Sequence, residues 1–380
     1  MSAPGPAGAP TAGAPTAGSP TAGAATPVSG RTPAIVLGGT GYVAGELLRL
    51  IAGHPQLQVA AVLSDSQPGA YVADAFEHLR SAYPDLKFAG PAELHEVIGR
   101  APVSALFSAA PHGVSAAIVD RLLAQAQAAG TRVHCVDISA DFRYASQAAY
   151  EAVYKHAHGA PARIREFTCA VPEHLQKSPT PHVAHPGCFA TATLLASVPL
   201  LALGLTDTRL FVTGITGSTG SGRKPVEGTH HPRRHSDLYA YGALSHRHVP
   251  EIAACAKLAT GIEADFNFVP HSGPFARGIH VTVQASLKNS ITTAQAVEAL
   301  KSYYKACPFV RVSETAPRVK DVATSNYSRL SAVTNGNSIA VMSVLDNLNK
   351  GAAGGAVQWM NRLLGLAETT GLTAPAPGWT

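Results

Sequence analysis

The sequence predicts an α/β chain in two parts, a parallel, doubly wound sheet followed by an α+β domain on a mixed or antiparallel sheet. Three observations carry this reading. Val- and Ile-rich runs alternate with helical patterns from Ala34 onward. The first run breaks into a glycine-rich turn that opens a helix. Beyond about residue 185 strand-like runs continue, but their connections become longer and irregular.

The first 32 residues stand apart, repeating a five-residue unit that begins at Thr11, Thr16 and Thr21, with no charge before Arg31. A segment with so little to bury cannot offset its own ordering entropy. It is expected to be disordered and dispensable for catalysis. It has neither the early basic residue and Leu/Val-rich stretch of a secretory signal nor the arginines of a mitochondrial presequence.

The first folded part is expected over residues 33–184. Its runs at 34–37, 59–63, 104–107 and 133–138 read as strands, with helical patterns at 41–52 and 113–129 between them. Ile35-Val36-Leu37 runs into Gly38-Gly39-Thr40-Gly41-Tyr42-Val43-Ala44, and Gly39-x-Gly41-x-x-Ala44 satisfies the dinucleotide fingerprint. Glycines let the backbone approach a pyrophosphate, and the helix N-terminus supplies free N–H groups. A lone match of this kind is weak, but here it follows a strand and opens a helix. The second run ends at Ser64-Asp65-Ser66, where the ribose would be read. Asp65 favours NAD by repelling a 2′-phosphate, while the serines can donate to one, so both cofactors stay open.

The second part is expected over residues 185–346, with strand-like runs at 210–216, 266–269, 278–285, 309–312 and 339–345. The remaining 347–380 include an apolar helical stretch expected to pack back on the first domain. Here His185-Pro186-Gly187-Cys188 precedes an apolar helical run. A cysteine at a helix N-terminus has its thiol pKa lowered, which favours a nucleophilic thiolate. Cys135, Cys169 and Cys255 lie inside apolar stretches and Cys307 before Pro308, so these four read as structural. Proton transfer beside the thiol needs a base, and His246-Arg247-His248 offers two candidates. His230, His231 and His235 around Arg233 and Arg234 read as a solvated basic loop rather than a metal site.

Two further segments can meet anions. The loop from Thr213 to Lys224 is built of small residues and ends in the cations Arg223 and Lys224. Arg143, in Ser139-Ala140-Asp141-Phe142-Arg143, can clamp a carboxylate or phosphate, or merely pair with Asp141.

Composition bounds the rest. Of 380 residues 46% are hydrophobic and 14% charged, and a net charge of +5 is scattered without a basic block. This excludes nucleic acid or anionic lipid as the main partner. Five cysteines without a CxxC pair favour neither a disulfide framework nor structural zinc, and reduced thiols place the chain in the cytoplasm.

Taken together and in order, the motifs GGTGYVAGELLRL, SAAPHGVS, DISADFR, HPGCFATA, GSTGSGRKP, YGALSHRHVPEI, FVPHSGPFARGI and DNLNKGAAGGAVQWMN resemble the N-acetyl-gamma-glutamyl-phosphate reductase family. The resemblance covers nearly all of the chain beyond the tail. It implies a Rossmann domain plus a semialdehyde-dehydrogenase-like catalytic and dimerisation domain, in a homodimer or homotetramer. It makes Cys188 the nucleophile, assisted by His248. NADP(H) is implied at Gly38, Gly39, Thr40, Gly41, Tyr42 and Val43, and at Ser221, Gly222 and Asn347, with Ser64 nearby. The implied substrate is a small acyl phosphate in arginine biosynthesis, met by Arg143, Arg223 and Lys224, and no metal is required. Phe189 and Ala190 depart from the family's usual turn, and the alanine also resembles the lysine-pathway branch, whose aminoadipyl substrate is one methylene longer. A dinucleotide-binding regulator is the non-enzyme alternative.

Overall fold

The computed structural model describes residues 30–91 and 93–379, so residues 1–29 of the repeat-bearing tail lie outside the described residues. The alternation of apolar runs and helices folds into a six-stranded parallel sheet of order β2-β1-β3-β4-β6-β5. Its strands are β1 (Thr32–Leu37), β2 (Leu57–Val62), β3 (Val103–Ser108), β4 (Arg132–Asp137), β5 (Phe167–Cys169) and β6 (His182–Ala184). Successive side chains of β1 explain the double winding. Ala34 and Val36 pack with Leu47 and Trp359 on one face, while Ile35 and Leu37 pack with Val119 and Leu122 on the other. The order reverses between β1 and β3, and in open α/β sheets ligands bind outside the carboxyl ends of the strands at such a reversal. Gly38–Gly41 lies there.

The second sheet has seven strands in the order β11-β12-β13-β10-β7-β9-β8. They are β7 (Arg209–Thr216), β8 (Tyr239–Ala240), β9 (Asp265–Ser272), β10 (Ile279–Ser286), β11 (Val310–Val312), β12 (Ser328–Asn335) and β13 (Ser338–Leu345). The sheet is mixed: β7 and β9 run parallel, as do β11 and β12, and the other pairs are antiparallel. Along β7 exposed and buried residues alternate, as a sheet with one covered face requires. The covered face packs on the helix Cys188–Ala202, whose Phe189 to Leu201 are all buried. A helix that is apolar all round belongs in the interior. The helices Val249–Thr260 and Thr293–Tyr303 complete this layer.

Two segments tie the halves together. Arg277 donates to Asp346 from Nε (2.9 Å) and Nη2 (3.0 Å), and its Nη1 reaches Glu46 on the first helix at 2.7 Å. The helix Gly354–Leu363 lies in the first sheet's core, where the Trp359 indole donates to the Ala170 carbonyl at 2.8 Å. Ahead of it, Asn349–Ala353 winds as a π-helix, a widened turn often found at functional sites.

Candidate active site

The thiol is positioned by a short strand, a sharp turn and a buried helix. β6 ends at Ala184, the His185 N–H donates to the Asp137 carbonyl at 2.7 Å, and Gly187 caps the helix that Cys188 begins. Gly187 has ordinary extended backbone, so what demands glycine is space. A Cβ there would stand 2.5 Å from both Cε1 and Nε2 of His248 and 2.9 Å from Nη1 of Arg143. This close approach sets the His248 ring against the turn, one residue from the thiol. From the other side Gly351, in the π-helix, presses on the cysteine, and a Cβ there would meet the Cys188 Cβ at 2.8 Å.

A buried ion pair holds the turn. Glu251 accepts the Gly187 N–H on Oε1 (2.5 Å) and Arg143 Nη1 on Oε2 (3.2 Å). Arg143 also donates from Nε to the His185 carbonyl (3.0 Å) and from Nη2 to the Ile138 carbonyl (2.7 Å). Both sides of Pro186 are thereby fixed. Arg143 does not pair with Asp141, whose carboxylate accepts the Gly113 and Ala116 N–H groups and the Tyr150 hydroxyl. Sequence reasoning missed Glu251, although it lies one helical turn beyond His248 in His248-Val249-Pro250-Glu251. It also missed Lys350, which anchors the π-helix by donating to Glu173 Oε1 and Gln358 Oε1, both at 2.7 Å.

Of the two histidines, His248 faces the turn and His246 backs it. The His248 N–H donates to His246 Nδ1 at 3.2 Å, and the rings meet edge-on at 4.7 Å. The His246 ring then lies against Phe189 (6.0 Å), Phe268 (5.4 Å) and Tyr241 (5.7 Å). Burial, then Arg247, brings His246 down to about 4. Burial, then His246 and Arg143, holds His248 well below its ordinary value. Both rings are therefore neutral near neutral pH, and a neutral imidazole can take a proton. The expected lowering of the Cys188 thiol is not found. Burial pushes it above its ordinary value, against the opposing pull of the Phe189 N–H and Arg143. In this enclosed turn desolvation of a thiolate outweighs the helix end. Ionisation therefore requires a neighbouring base.

The dinucleotide positions come together at the other ligand edge. Gly38 has φ +76°, and a Cβ there would strike the Ala109 carbonyl oxygen at 2.3 Å. The Gly39 N–H donates to the Leu63 carbonyl (2.8 Å), and Gly41 caps the helix Tyr42–Ala52 without a side-chain hydrogen bond. The first-turn N–H groups at Tyr42 and Val43 are thus available to an anion. The loop from the second domain folds over this turn. Arg223 donates from Nη1 to the Thr40 carbonyl (3.2 Å) and covers the Phe76 ring at 5.1 Å. Asn347 braces the same loop, accepting the Gly278 N–H on Oδ1 (2.7 Å) and donating from Nδ2 to Thr219 Oγ1 (3.0 Å). Ser221, Gly222 and Lys224 are exposed on it.

Ser64 is buried, its Oγ 3.3 Å from that of Ser66, while Asp65 is exposed. Beside them a cavity of about 480 Å³ is lined by Leu63, Asp65, Leu94, Val114, Ile118 and Arg121, an apolar slot with one carboxylate and one guanidinium at its rim. A glycine cradle with no room for Cβ, an open helix N-terminus and an adjoining apolar slot together fit a dinucleotide.

Comparison with known proteins agrees with this geometry. Residues 33–166 match the semialdehyde dehydrogenase NAD-binding domain, and residues 188–347 match the semialdehyde dehydrogenase dimerisation domain. N-acetyl-gamma-glutamyl-phosphate reductase of Azotobacter vinelandii is 40% identical over 348 residues, covering 90% of this chain and 98% of that protein. The Pseudomonas aeruginosa protein of the same name is 39% identical, with the same coverage. In fold, the chain is similar to aspartate semialdehyde dehydrogenase II from Vibrio cholerae, with a TM-score of 0.63 at 15% identity over 88% of this chain and 98% of that one. It is similar also to aspartate semialdehyde dehydrogenase with NADP from Candida albicans, at a TM-score of 0.62 and 15% identity over 90% and 99% of the two chains. The chain belongs to the N-acetyl-gamma-glutamyl-phosphate reductase family of phosphorylating semialdehyde dehydrogenases.

Proposed function

We propose that this chain reduces N-acetyl-gamma-glutamyl phosphate to N-acetylglutamate 5-semialdehyde with release of phosphate, using NADPH, through a thioester on Cys188. The observation that carries the reading is the placement of Cys188 at a helix start, with the His248 ring against the preceding glycine. His248, neutral in its buried site, takes the thiol proton. The Cys188 sulfur attacks the acyl carbonyl and phosphate departs, its charge met by the cations Arg223 and Lys224 of the overlying loop. A dinucleotide held at Gly38 to Val43 would supply the hydride from its nicotinamide. His248 then returns its proton to the oxygen of the resulting hemithioacetal, which collapses to aldehyde and free thiol. Arg143 and Glu251 act on the turn itself, holding Gly187 and His185 so that sulfur and imidazole keep their spacing.

NADP is preferred over NAD on the strength of Arg121, a cation lining the cavity, and of the Ser64 and Ser66 hydroxyls that flank the lining residue Asp65. Asp65 works in the opposite direction. The open face of the second sheet, with Phe211 and Val333 about half exposed, supports self-association into a homodimer or homotetramer.

Running the reaction backwards tests the assignment. Phosphate, the purified chain and either NADP or NAD are combined with N-acetylglutamate 5-semialdehyde or its one-methylene homologue. Fastest turnover is expected with the shorter aldehyde and NADP. Faster turnover of the homologue would transfer the chain to the aminoadipyl branch, and equal rates with NAD would remove the cofactor preference.

A further inference from the structure

The segment Thr229 to Ser236 reads in sequence as a solvated basic loop and is largely exposed, yet it also borders an open cavity of about 290 Å³. Ser218, Thr229, His231, Arg234, His235 and Ser236 line it, and Pro274 to Ala276 form the far wall. Its chemistry is one-sided: three hydroxyls, two imidazoles and a guanidinium, with no carboxylate among the lining residues.

Arg234 is the informative residue. It is only 8% exposed. Its Nη1 and Nη2 donate to the carbonyls of Asp237 (3.2 Å) and Phe275 (3.5 Å), and its buried Nε has no partner among the described residues. The adjacent Arg233, exposed at the surface, pairs with Glu227, whereas Arg234 has no such pair among the described residues. Carbonyl dipoles orient a guanidinium but do not neutralise it, and a buried charge without a counterion is costly. The His231 and His235 rings, both lining the cavity, stand 5.2 Å apart and add two imidazole donors.

We infer that this cavity is a binding site for a tetrahedral oxyanion of the phosphate class, with Arg234 as its charge partner. Guanidinium, imidazole and hydroxyl donors converging on a space this small suit a phosphate group rather than a planar or apolar ligand. The site also has a mechanical link to the cofactor loop. Ser218 opens the turn Ser218–Ser221, its N–H donates to the Phe275 carbonyl at 2.9 Å, and the next residue, Thr219, receives Asn347. An anion held between Ser218 and Arg234 therefore braces the loop that carries Arg223 to Thr40. The phosphate is either free in solution or the terminal group of the acyl phosphate, and the two sources are separable.

The test is calorimetric titration of inorganic phosphate into the full chain, before and after Cys188 is blocked with iodoacetamide. The wild-type chain is expected to show a saturable event that survives blocking. In Arg234→Met that event should weaken at least 10-fold, and in Arg234→Lys it should largely return. If the site takes free phosphate, Arg234→Met leaves KM for the acyl phosphate unchanged. If it seats the substrate's phosphate, that KM rises about 10-fold. Binding that is absent, that disappears on blocking, or that is equal in Arg234→Met overturns the assignment. Crystals of the unaltered chain soaked in selenate give an answer independent of any variant's folding: an anomalous peak beside Arg234 is expected, and an empty cavity contradicts the site.

Discussion

The chain uses strand, glycine turn and helix start twice, at Gly38–Gly41 and at His185–Cys188, and the two turns differ in what surrounds them. The nucleotide turn is bounded by backbone, the Ala109 and Leu63 carbonyls, and leaves its helix end open. The thiol turn is enclosed by side chains from distant segments: Arg143, His248, Glu251 and the π-helix at Gly351. An open helix end welcomes an anion brought by a ligand. An enclosed one desolvates its own thiol, and burial there raises the Cys188 pKa where the helix end alone would lower it. One turn binds. The other must be activated.

Substitutions separate these roles. The largest effect is expected from Gly187→Ala, whose new methyl must displace His248 or Arg143. A shift of about 1 Å at a reacting group costs roughly 100-fold in turnover, so kcat should fall at least that far while dinucleotide affinity holds. Parallel loss of both would mean that the turns are not independent. Gly38→Ala is the converse case. A left-handed backbone costs a non-glycine residue roughly 1–2 kcal/mol, and the clash with Ala109 adds to it. Dinucleotide affinity should fall about 10-fold or more, with the labelling rate of Cys188 unchanged.

The pH dependence of that labelling sharpens the contrast. Because the Cys188 pKa is raised, the thiol is protonated near neutral pH and only its thiolate reacts. Alkylation of the ligand-free chain by iodoacetamide should rise with pH to a midpoint above that of an ordinary cysteine. A rate already level below pH 7 would mean a pre-formed thiolate. The smallest effect belongs to Arg223→Ala, which removes one exposed hydrogen bond to Thr40. Such a bond is worth about 0.5–1.5 kcal/mol, so KM for the dinucleotide should rise roughly 2- to 10-fold, and kcat should fall by no more than that because Lys224 still meets the departing phosphate.

The same contrast explains what could be read from the chain in advance. The nucleotide turn is local, and its strand, glycines and helix are contiguous from Ile35 to Leu50. Cys188 was legible for the same reason, through Pro186-Gly187. Its enclosure was not: Arg143 reads in sequence as an anion clamp, Glu251 and Gly351 give no signal, and all three lie far off in sequence and meet the turn only in the fold. The pKa direction failed with them, since burial is a tertiary quantity. Several elements were also missed: β12 (Ser328–Asn335), whose run of serines, arginine and asparagine hides its alternation, and the helix Thr293–Tyr303, capped by Thr292 and Gln295. The unusual Phe189 and Ala190 take on a different meaning. Both are buried, and the Phe189 ring packs on Phe268 and against Gly214, so they belong to the core beneath the thiol.

The central claim is that Cys188 carries the acyl group between loss of phosphate and reduction. Mixing the chain with N-acetyl-gamma-glutamyl phosphate in the absence of reduced dinucleotide, then quenching in acid and mapping peptides by mass, tests it directly. A stoichiometric N-acetylglutamyl adduct on Cys188 is predicted, discharged to aldehyde when NADPH is added before the quench. Phosphate release with no adduct on that cysteine, or full turnover by Cys188→Ser, would contradict it.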